Sequence, residues 1–224
     1  MASAFPLAGL IITLPAALLL LLFDAMGTYP LLAAAMALSV LIVSTGALHE
    51  DGFADCADGL FGGRDREAML SIMKDSRVGS YGVLAMILSF SLRATAIAAV
   101  IEAYAAAESA LALLLAAVLS RTAMVWHWSS LPSARPDGVA AAAGTPDSSA
   151  RRVAVISGVA ICFLLATIGG IVPAFLLALA ATVVSGRLFA SLAQQKIGGH
   201  TGDTIGASQQ IAEITVLCSL AVTV

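Results

Sequence analysis

Residues 31–82 read LLAAAMALSVLIVSTGALHEDGFADCADGLFGGRDREAMLSIMKDSRVGSYG. The stretch opens with an apolar run, and a helix needs about 20 mostly apolar residues to cross a bilayer. Its second part, residues 49–82, holds half of the chain's 14 acidic residues and is followed by another apolar run. The stretch therefore predicts a helical membrane protein whose chemistry takes place where a helix leaves the membrane.

The composition of the whole chain supports this interpretation. Of its 224 residues, 60% are hydrophobic and only 11% are charged, and the mean hydropathy is +0.98. These values lie far outside those of soluble domains, so the lipid bilayer is the expected surrounding. The net charge of -3 and the scattered basic residues exclude a nucleic-acid surface. Three widely spaced cysteines without a CxxC pair favour neither a disulfide framework nor a thiolate metal site.

Apolar runs recur along the chain and predict an all-α polytopic bundle that forms one integral membrane domain over residues 1–224. We place about seven membrane helices, at Pro6–Phe23, Leu31–Leu48, Gly82–Tyr104, Ala110–Trp126, Val153–Gly170, Val172–Ser185 and Ala207–Val224. Only Gly169–Pro173 separates the fifth run from the sixth, so either a tight turn joins two helices or one kinked helix contains both runs.

The basic residues indicate the orientation of the bundle. Loops that face the cytoplasm collect Lys and Arg, and they do so here in the second, fourth and sixth loops, at about 49–81, 129–152 and 186–206. These loops hold Arg64, Arg66, Lys74, Arg77, Arg135, Arg151, Arg152, Arg187 and Lys196. We therefore expect a cytoplasmic N-terminus, with every polar motif on the cytoplasmic side.

Asp51, Asp55 and Asp58 stand at i, i+4 and i+7, which places three carboxylates on one face of a helix. Like charges at this spacing repel one another, and two glycines among them lower helix propensity further. A divalent cation against this face would relieve the repulsion. Mg²⁺ fits because it binds a few carboxylates and keeps other positions for water and phosphate oxygens. A solvated acidic helix end is the alternative interpretation.

A basic, glycine-containing segment follows the three carboxylates. It contains Arg64 and then Lys74, Asp75, Ser76 and Arg77. Arg offers a planar fork to phosphate oxygens and Lys a point charge. Acids for a metal and bases for phosphates, about 20 residues apart, indicate phosphoryl or phosphodiester chemistry. Anchoring by positive charge is the simpler explanation for each basic residue taken alone.

A third polar cluster, GGHTGDTIG at residues 198–206, opens into the last apolar run. Asp203 or Thr204 can cap the helix that begins there, so that its N-terminal amides would face an anion. Gln209, Gln210 and Glu213 fall within the first turns of this helix, where polar side chains are rare unless they line a cavity.

Two arginines lie within predicted membrane helices. Arg121 is close enough to the cytoplasmic end to extend its charge to the interface. Arg93 is near the middle of its helix, so it should face the interior or pair with an acid, and the sequence leaves that acid open.

Taken together, these segments resemble the cobalamin synthase family, the membrane-bound adenosylcobinamide-GDP ribazoletransferases, over nearly the whole chain. The resemblance rests on FPLAGL at residues 5–10, LSRTAMVW at 119–126, SARPDGV at 133–139, and above all on residues 49–82 and GGHTGDTIGASQQIAEI at 198–214. Membership would imply transfer of α-ribazole, or its 5'-phosphate, onto adenosylcobinamide-GDP with release of GMP, as a late step of cobalamin biosynthesis in the bacterial inner membrane.

The resemblance also implies roles for residues. The motif D-G-x-x-D-x-x-D matches Asp51, Asp55 and Asp58, which would be catalytic and hold Mg²⁺, and Asp203 would complete the catalytic set. Substrate binding would fall to Arg64, Lys74, Asp75, Ser76, Arg77, Arg135, Thr201, Gln209, Gln210 and Glu213. A homo-oligomer, or association with other enzymes of the cobalamin pathway, is a further expectation.

Two other functions compete with this one. A cation transporter could use the acids and Arg93 along a permeation path, but its acids should lie near the bilayer midplane on broken helices. A phospholipid-type CDP-alcohol phosphotransferase shares the Asp-rich motif, but it carries an Arg where this chain has Asp55.

Overall fold

A computed structural model describes residues 2–135 and 138–224. Within them, a 3-10 turn at Ala2–Ala4 precedes ten α-helices: α1 Phe5–Ala25, α2 Pro30–Ser44, α3 Leu48–Gly62, α4 Arg66–Ile72, α5 Ser80–Ala103, α6 Ala106–Ser130, α7 Val139–Ala143, α8 Ser148–Ile168, α9 Val172–Ile197 and α10 Gly202–Ala221. The described residues form no strand, only one isolated bridge between Ser133 and His200. The all-α prediction is confirmed.

Five helices are long and apolar enough to cross a membrane: α1, with the turn before it, α5, α6, α8 and α9. The pair α2 and α3 would add a sixth span, although it is bent by 90°. The helix α10 would be a seventh; its polar side chains lower its hydropathy, but it is enclosed by α3, α5, α6 and α9. The prediction of about seven spans agrees with this arrangement.

The bend between α2 and α3 was not predicted. The second apolar run was expected to continue to Leu48, but the helix ends at Ser44. Gly46 and Ala47 both adopt positive φ, of 62° and 57°, in the left-handed region that ends helices. The chain leaves this turn in a new direction, and α3 packs against α5 and α10.

The helix α6 is the most enclosed of the apolar helices and contacts α1, α8, α9 and α10. Small residues permit these contacts, as expected where helices pack without a hydrophobic driving force. A Cβ at Gly9 of α1 would lie 2.8 Å from the carbonyl oxygen of Ala117, and one at Gly158 of α8 would overlap Thr122. Replacing either glycine would therefore push a neighbouring helix away from α6.

The structure corrects the extent of the predicted loops. The loop at 49–81 is mostly α3 and α4, and the loop at 186–206 is only four residues long because α9 continues to Ile197. The longer α9 places the Lys196 amine 3.1 Å from the carbonyl oxygen of Leu60, which fixes this end of the helix. The tight turn between α8 and α9 is confirmed: Gly170 takes φ 67° and α9 starts at Val172.

The loop at 129–152 is shorter than predicted because α6 runs to Ser130 and α8 begins at Ser148 with Asp147 as its N-cap. The short helix α7 lies between them. Pro136, which belongs to the predicted loop, lies outside the described residues.

Candidate active site

The predicted carboxylate face exists on α3, but its three members differ in exposure. Asp51 is exposed, Asp55 is half-buried, and Asp58 is buried. The prediction that the three carboxylates share one helical face is confirmed. Packing against other helices gives each carboxylate a different environment.

Asp58 binds the N-terminus of α5. Its Oδ2 accepts a hydrogen bond from the backbone amide of Gly79 at 2.6 Å, and its Oδ1 accepts one from Gly82 at 2.9 Å. The first amides of a helix have no partner within the helix and carry partial positive charge, so a carboxylate there is favourable. Both glycines are needed, because a Cβ on either would lie within 2.5 Å of an Asp58 oxygen. Asp58 thus attaches the basic segment to the carboxylate helix.

The start of α10 packs against α3. A Cβ on Gly52 would lie 2.9 Å from the carbonyl oxygen of Asp203, and one on Gly206 would lie 3.4 Å from the backbone of His49. We call this close contact of the two helices the α3–α10 seam. It brings together the two polar segments, 49–82 and 198–206, that sequence analysis considered separately.

Thr201 is the N-cap of α10. Its Oγ1 accepts a hydrogen bond from the amide of Thr204, and the Thr204 hydroxyl accepts one from the amide of Thr201, which makes a complete capping box. The prediction that Asp203 or Thr204 caps the helix is wrong in this detail. Asp203, freed from capping, accepts a hydrogen bond from the Thr201 hydroxyl at 3.2 Å.

Arg135 reaches Asp203 from the segment after α6. Its Nη1 lies 3.9 Å from Oδ2 of Asp203, and its Nη2 donates to the carbonyl oxygen of Leu70. A small pocket of about 80 Å³ opens here, lined by Ser133, Arg135, Gly138, Ala140, Ala141, Thr201, Gly202 and Asp203. We call the carboxylates of Asp51, Asp55 and Asp203, together with Arg135, the mouth of the seam.

The mouth carboxylates influence one another. The negative charges of Asp51, Asp203 and Asp58 act on Asp55, and the positive charge of Arg135 offsets part of their effect. The carboxylates therefore repel one another, and a bound cation would relieve this repulsion.

The oxygen-only chemistry of the mouth suits a hard cation such as Mg²⁺. In residues 2–135 and 138–224, no group of three or more His, Cys, Asp or Glu side chains is already gathered closely enough to hold a metal ion. Mg²⁺ is commonly held by only one or two carboxylates, and water and substrate oxygens complete its coordination. A pair of mouth carboxylates fits that requirement.

The predicted phosphate-binding residues between α3 and α5 are mostly exposed: Arg64, Lys74, Ser76 and Arg77. Asp75, the acidic residue of this segment, is partly buried, and its oxygens accept hydrogen bonds from Nε of Arg77 at 3.0 and 3.1 Å. These bonds lower the pKa of Asp75 to about 2. Asp75 therefore orients Arg77, and the segment offers its basic side chains to solvent beside Asp58.

Gln209, Gln210 and Glu213 are each 1% exposed, and they form hydrogen bonds inside the bundle. Glu213 Oε1 lies 3.0 Å from Nη1 of Arg93, and Oε2 accepts a hydrogen bond from Gln209 at 2.6 Å. Gln210 donates to Glu50 at 3.1 Å. The open question of the partner of Arg93 is thereby answered: it contacts Glu213 and, at 3.1 Å, Glu50.

Arg121 does not extend to the interface as predicted. It is 3% exposed, and its Nη1 lies 4.0 Å from Glu213 Oε2. Glu213 and the polar side chains connected to it form what we call the buried network, which consists of Glu50, Ser89, Arg93, Ser120, Arg121, Gln209, Gln210 and Glu213. It joins α3, α5, α6 and α10 on the inner side of the mouth.

Sequence reasoning missed Arg66. Its Nε donates to the carbonyl oxygen of Ile197 at 2.8 Å, and its Nη2 donates to that of Ala134 at 2.9 Å. It thus joins α4 to the end of α9 and to the segment that carries Arg135. A short-range pattern could not reveal this role, since both acceptors are backbone atoms far away along the chain.

Comparison with known proteins identifies similar chains. The sequence model of the family described as cobalamin-5-phosphate synthase matches residues 1–221. An adenosylcobinamide-GDP ribazoletransferase from Sinorhizobium sp is 52% identical over 224 residues, which cover 99% of this chain and 85% of the relative.

Two further relatives carry the same name. The protein of Rhizobium meliloti is 50% identical over 224 residues, covering 99% of this chain and 85% of the relative. The protein of Bradyrhizobium diazoefficiens is 45% identical over 214 residues, covering 96% and 80%. No solved structure shows significant similarity to the chain.

Proposed function

Because this chain belongs to the cobalamin-5-phosphate synthase family, we propose that it is an adenosylcobinamide-GDP ribazoletransferase that acts in cobalamin biosynthesis. Its acceptor would be α-ribazole or α-ribazole 5'-phosphate. The observation in the structure that best supports this function is the α3–α10 seam, where the carboxylates of residues 49–82 meet Asp203 and Arg135. That arrangement suits a reaction in which a phosphate anion is attacked.

The proposed reaction is a transfer at phosphorus. A ribose hydroxyl oxygen of the acceptor would form a bond to the phosphorus that carries cobinamide, and the phosphoanhydride bond to the guanylate would break. GMP would leave with the bonding electron pair, and the hydroxyl proton would pass to a base. Such reactions depend mainly on positioning and on charge stabilisation, which gives this protein the character of a phosphotransferase.

Mg²⁺ is the cofactor that we propose, held by Asp51 and Asp55 with the remaining positions for water and phosphate oxygens. The ion would neutralise charge on the pyrophosphate. Asp58 was expected to be a third ligand, but its two oxygens accept hydrogen bonds from backbone amides at the start of α5. We propose instead that Asp58 holds the phosphate-binding segment against α3.

The remaining charged residues fit distinct tasks. Asp203, oriented by Thr201 and Arg135, would accept the hydroxyl proton. Arg64, Lys74 and Arg77 would neutralise phosphate oxygens from the exposed segment. Gln209, Gln210 and Glu213 were expected to bind substrate, but their hydrogen bonds inside the bundle favour a supporting role.

We also propose that the mouth faces the cytoplasm in a bacterial inner membrane. The exposed residues Arg64, Lys74, Arg77 and Arg152 belong to segments at the same end of the bundle as the mouth, and cytoplasmic ends collect basic residues. The other two candidate functions receive no support from the relatives. Arg93 also makes ion pairs with two acids, which does not suit a cation path.

The test is an assay for GMP release. Membranes containing the chain should release GMP from adenosylcobinamide-GDP only when Mg²⁺ and α-ribazole or its 5'-phosphate are both added. Offering the two acceptors separately would identify the preferred one. A preparation that turns over neither pair, but moves Mg²⁺ across vesicles, would overturn the proposal in favour of transport.

A further inference from the structure

We infer that Arg93 is a positioning residue that holds α3 in register against α10 and so sets the distance between the two sides of the mouth. The inference rests on the proposed function. Arg93 is 1% exposed, and a single nitrogen, Nη1, contacts Glu50 of α3 at 3.1 Å and Glu213 of α10 at 3.0 Å. One guanidinium on α5 therefore bridges the two helices that form the seam.

The bridge is connected to the mouth along both helices. Glu50 directly precedes Asp51, so a movement of the Glu50 backbone is passed to the proposed metal ligands. Glu213 follows Asp203 by ten residues on α10, a separation of about 15 Å along a helix axis. Between these levels the backbones of α3 and α10 touch through Gly52 and Gly206. The glycines permit close contact but fix no register, whereas the Arg93 bridge fixes it together with the hydrogen bond from Gln210 to Glu50.

The surrounding side chains make the bridge a single unit. Gln210 donates to the same oxygen of Glu50 that Arg93 contacts, and it also donates to Gln209. Gln209 in turn donates to Glu213 and to Ser120 of α6. A shift of Glu50 would therefore break hydrogen bonds to side chains of α10. Each polar group left unpaired in these low-dielectric surroundings would cost free energy.

Arg93 does not contact substrate in this arrangement. It is the fourteenth residue of α5, about 20 Å along the axis from the helix start that Asp58 caps. The cavity beside it, of about 230 Å³, is otherwise lined mainly by apolar side chains, including Ile42, Phe53, Met86 and Phe90. Walls of this kind do not suit a charged nucleotide, so we expect any effect of Arg93 on turnover to act through α3 and α10.

Charge balance gives a way to separate positioning from simple stabilisation. The buried network contains two arginines, Arg93 and Arg121, and two acids, Glu50 and Glu213. Arg93→Met leaves an excess of one buried negative charge, which destabilises the fold. The double variant Glu50→Gln with Arg93→Met restores the balance and keeps an acceptor oxygen for Gln210 at position 50, but it still lacks the Arg93 bridge.

The experiment measures kcat, KM and thermal stability in detergent for these two variants, for Arg93→Lys, and for the control Arg152→Met, an exposed arginine of α8. We expect Arg93→Met to lower kcat about 100-fold, the effect of a misplacement of about 1 Å, with KM for adenosylcobinamide-GDP unchanged within about threefold. The double variant should regain thermal stability but not kcat. Arg93→Lys, which keeps a cation between the acids, should recover kcat to within about tenfold of the wild type.

Two outcomes would overturn the inference: wild-type kcat in Arg93→Met, or recovery of kcat together with stability in the double variant, which would make Arg93 a purely structural residue. If Arg93→Met does not accumulate, the double variant and Arg93→Lys decide the question. A wild-type protein that releases no GMP contradicts the proposed function instead, so the two failures are distinct.

Discussion

The α3–α10 seam contains two polar regions with opposite charge balance. In the buried network, two arginines meet two acids, and polar side chains satisfy most of the remaining groups. At the mouth, three carboxylates meet one arginine, so the carboxylates repel one another. The charges of a balanced cluster compensate one another, whereas a bound cation would stabilise a cluster with an excess of carboxylates. The difference separates the structural acids from the candidate catalytic ones.

The sharpest test of this contrast is Asp55→Asn at the mouth. Loss of a proposed Mg²⁺ ligand should lower turnover by about 10³-fold or more, because charge stabilisation of several kcal/mol disappears. GMP release measured by chromatography checks the loss, and thermal unfolding in detergent checks that the fold is retained. Glu67→Gln, an exposed acid on α4, is the matched control and should keep full activity. Full activity of Asp55→Asn would remove the mouth from catalysis.

Asp58→Asn tests whether the third member of the motif belongs to the mouth. If Asp58 caps α5, the change should cost about 1.5–3 kcal/mol of stability, since both Asp58 oxygens accept amides and Asn has only one acceptor oxygen. Activity should fall about tenfold through disorder of the basic segment, with no change in the Mg²⁺ concentration required.

Asp147→Asn, at the N-cap of α8, is the control for Asp58→Asn and should be nearly neutral, because Asn caps as well as Asp. A marked increase in the Mg²⁺ requirement of Asp58→Asn, at unchanged stability, would return Asp58 to the metal site.

Arg66→Lys tests the frame around the mouth. A lysine can bond only one carbonyl group well, whereas the guanidinium holds both Ile197 and Ala134. We expect kcat/KM to fall about three- to tenfold as Arg135 loses its fixed position, with a small loss of thermal stability. Arg151→Lys on α8 serves as the control. Equal behaviour of the two variants would mean that Arg66 does not support the mouth.

The sequence predicted the features that depend on local pattern. The apolar runs located the helices, and the i, i+4, i+7 spacing placed three aspartates on one face. Features that depend on contacts between distant segments could not be predicted from local pattern. The positive φ at Ala47, the capture of the α5 amides by Asp58, and the pairing of Arg93 with Glu50 and Glu213 all follow from how distant segments pack.

Substitution of Thr201 is expected to have the smallest effect, and it tests whether this residue stabilises the fold or binds substrate. The resemblance assigned it to substrate binding, but its hydroxyl is the N-cap of α10 and it is 3% exposed. A lost cap costs about 1 kcal/mol, so Thr201→Ala should lower Tm by about 2–4 °C for a chain of this size, while KM for either substrate stays unchanged. Thr201→Ser keeps the hydroxyl and should restore Tm. A large increase in KM for Thr201→Ala, at unchanged Tm, would instead place Thr201 among the substrate contacts. The mouth would then include the N-cap of α10.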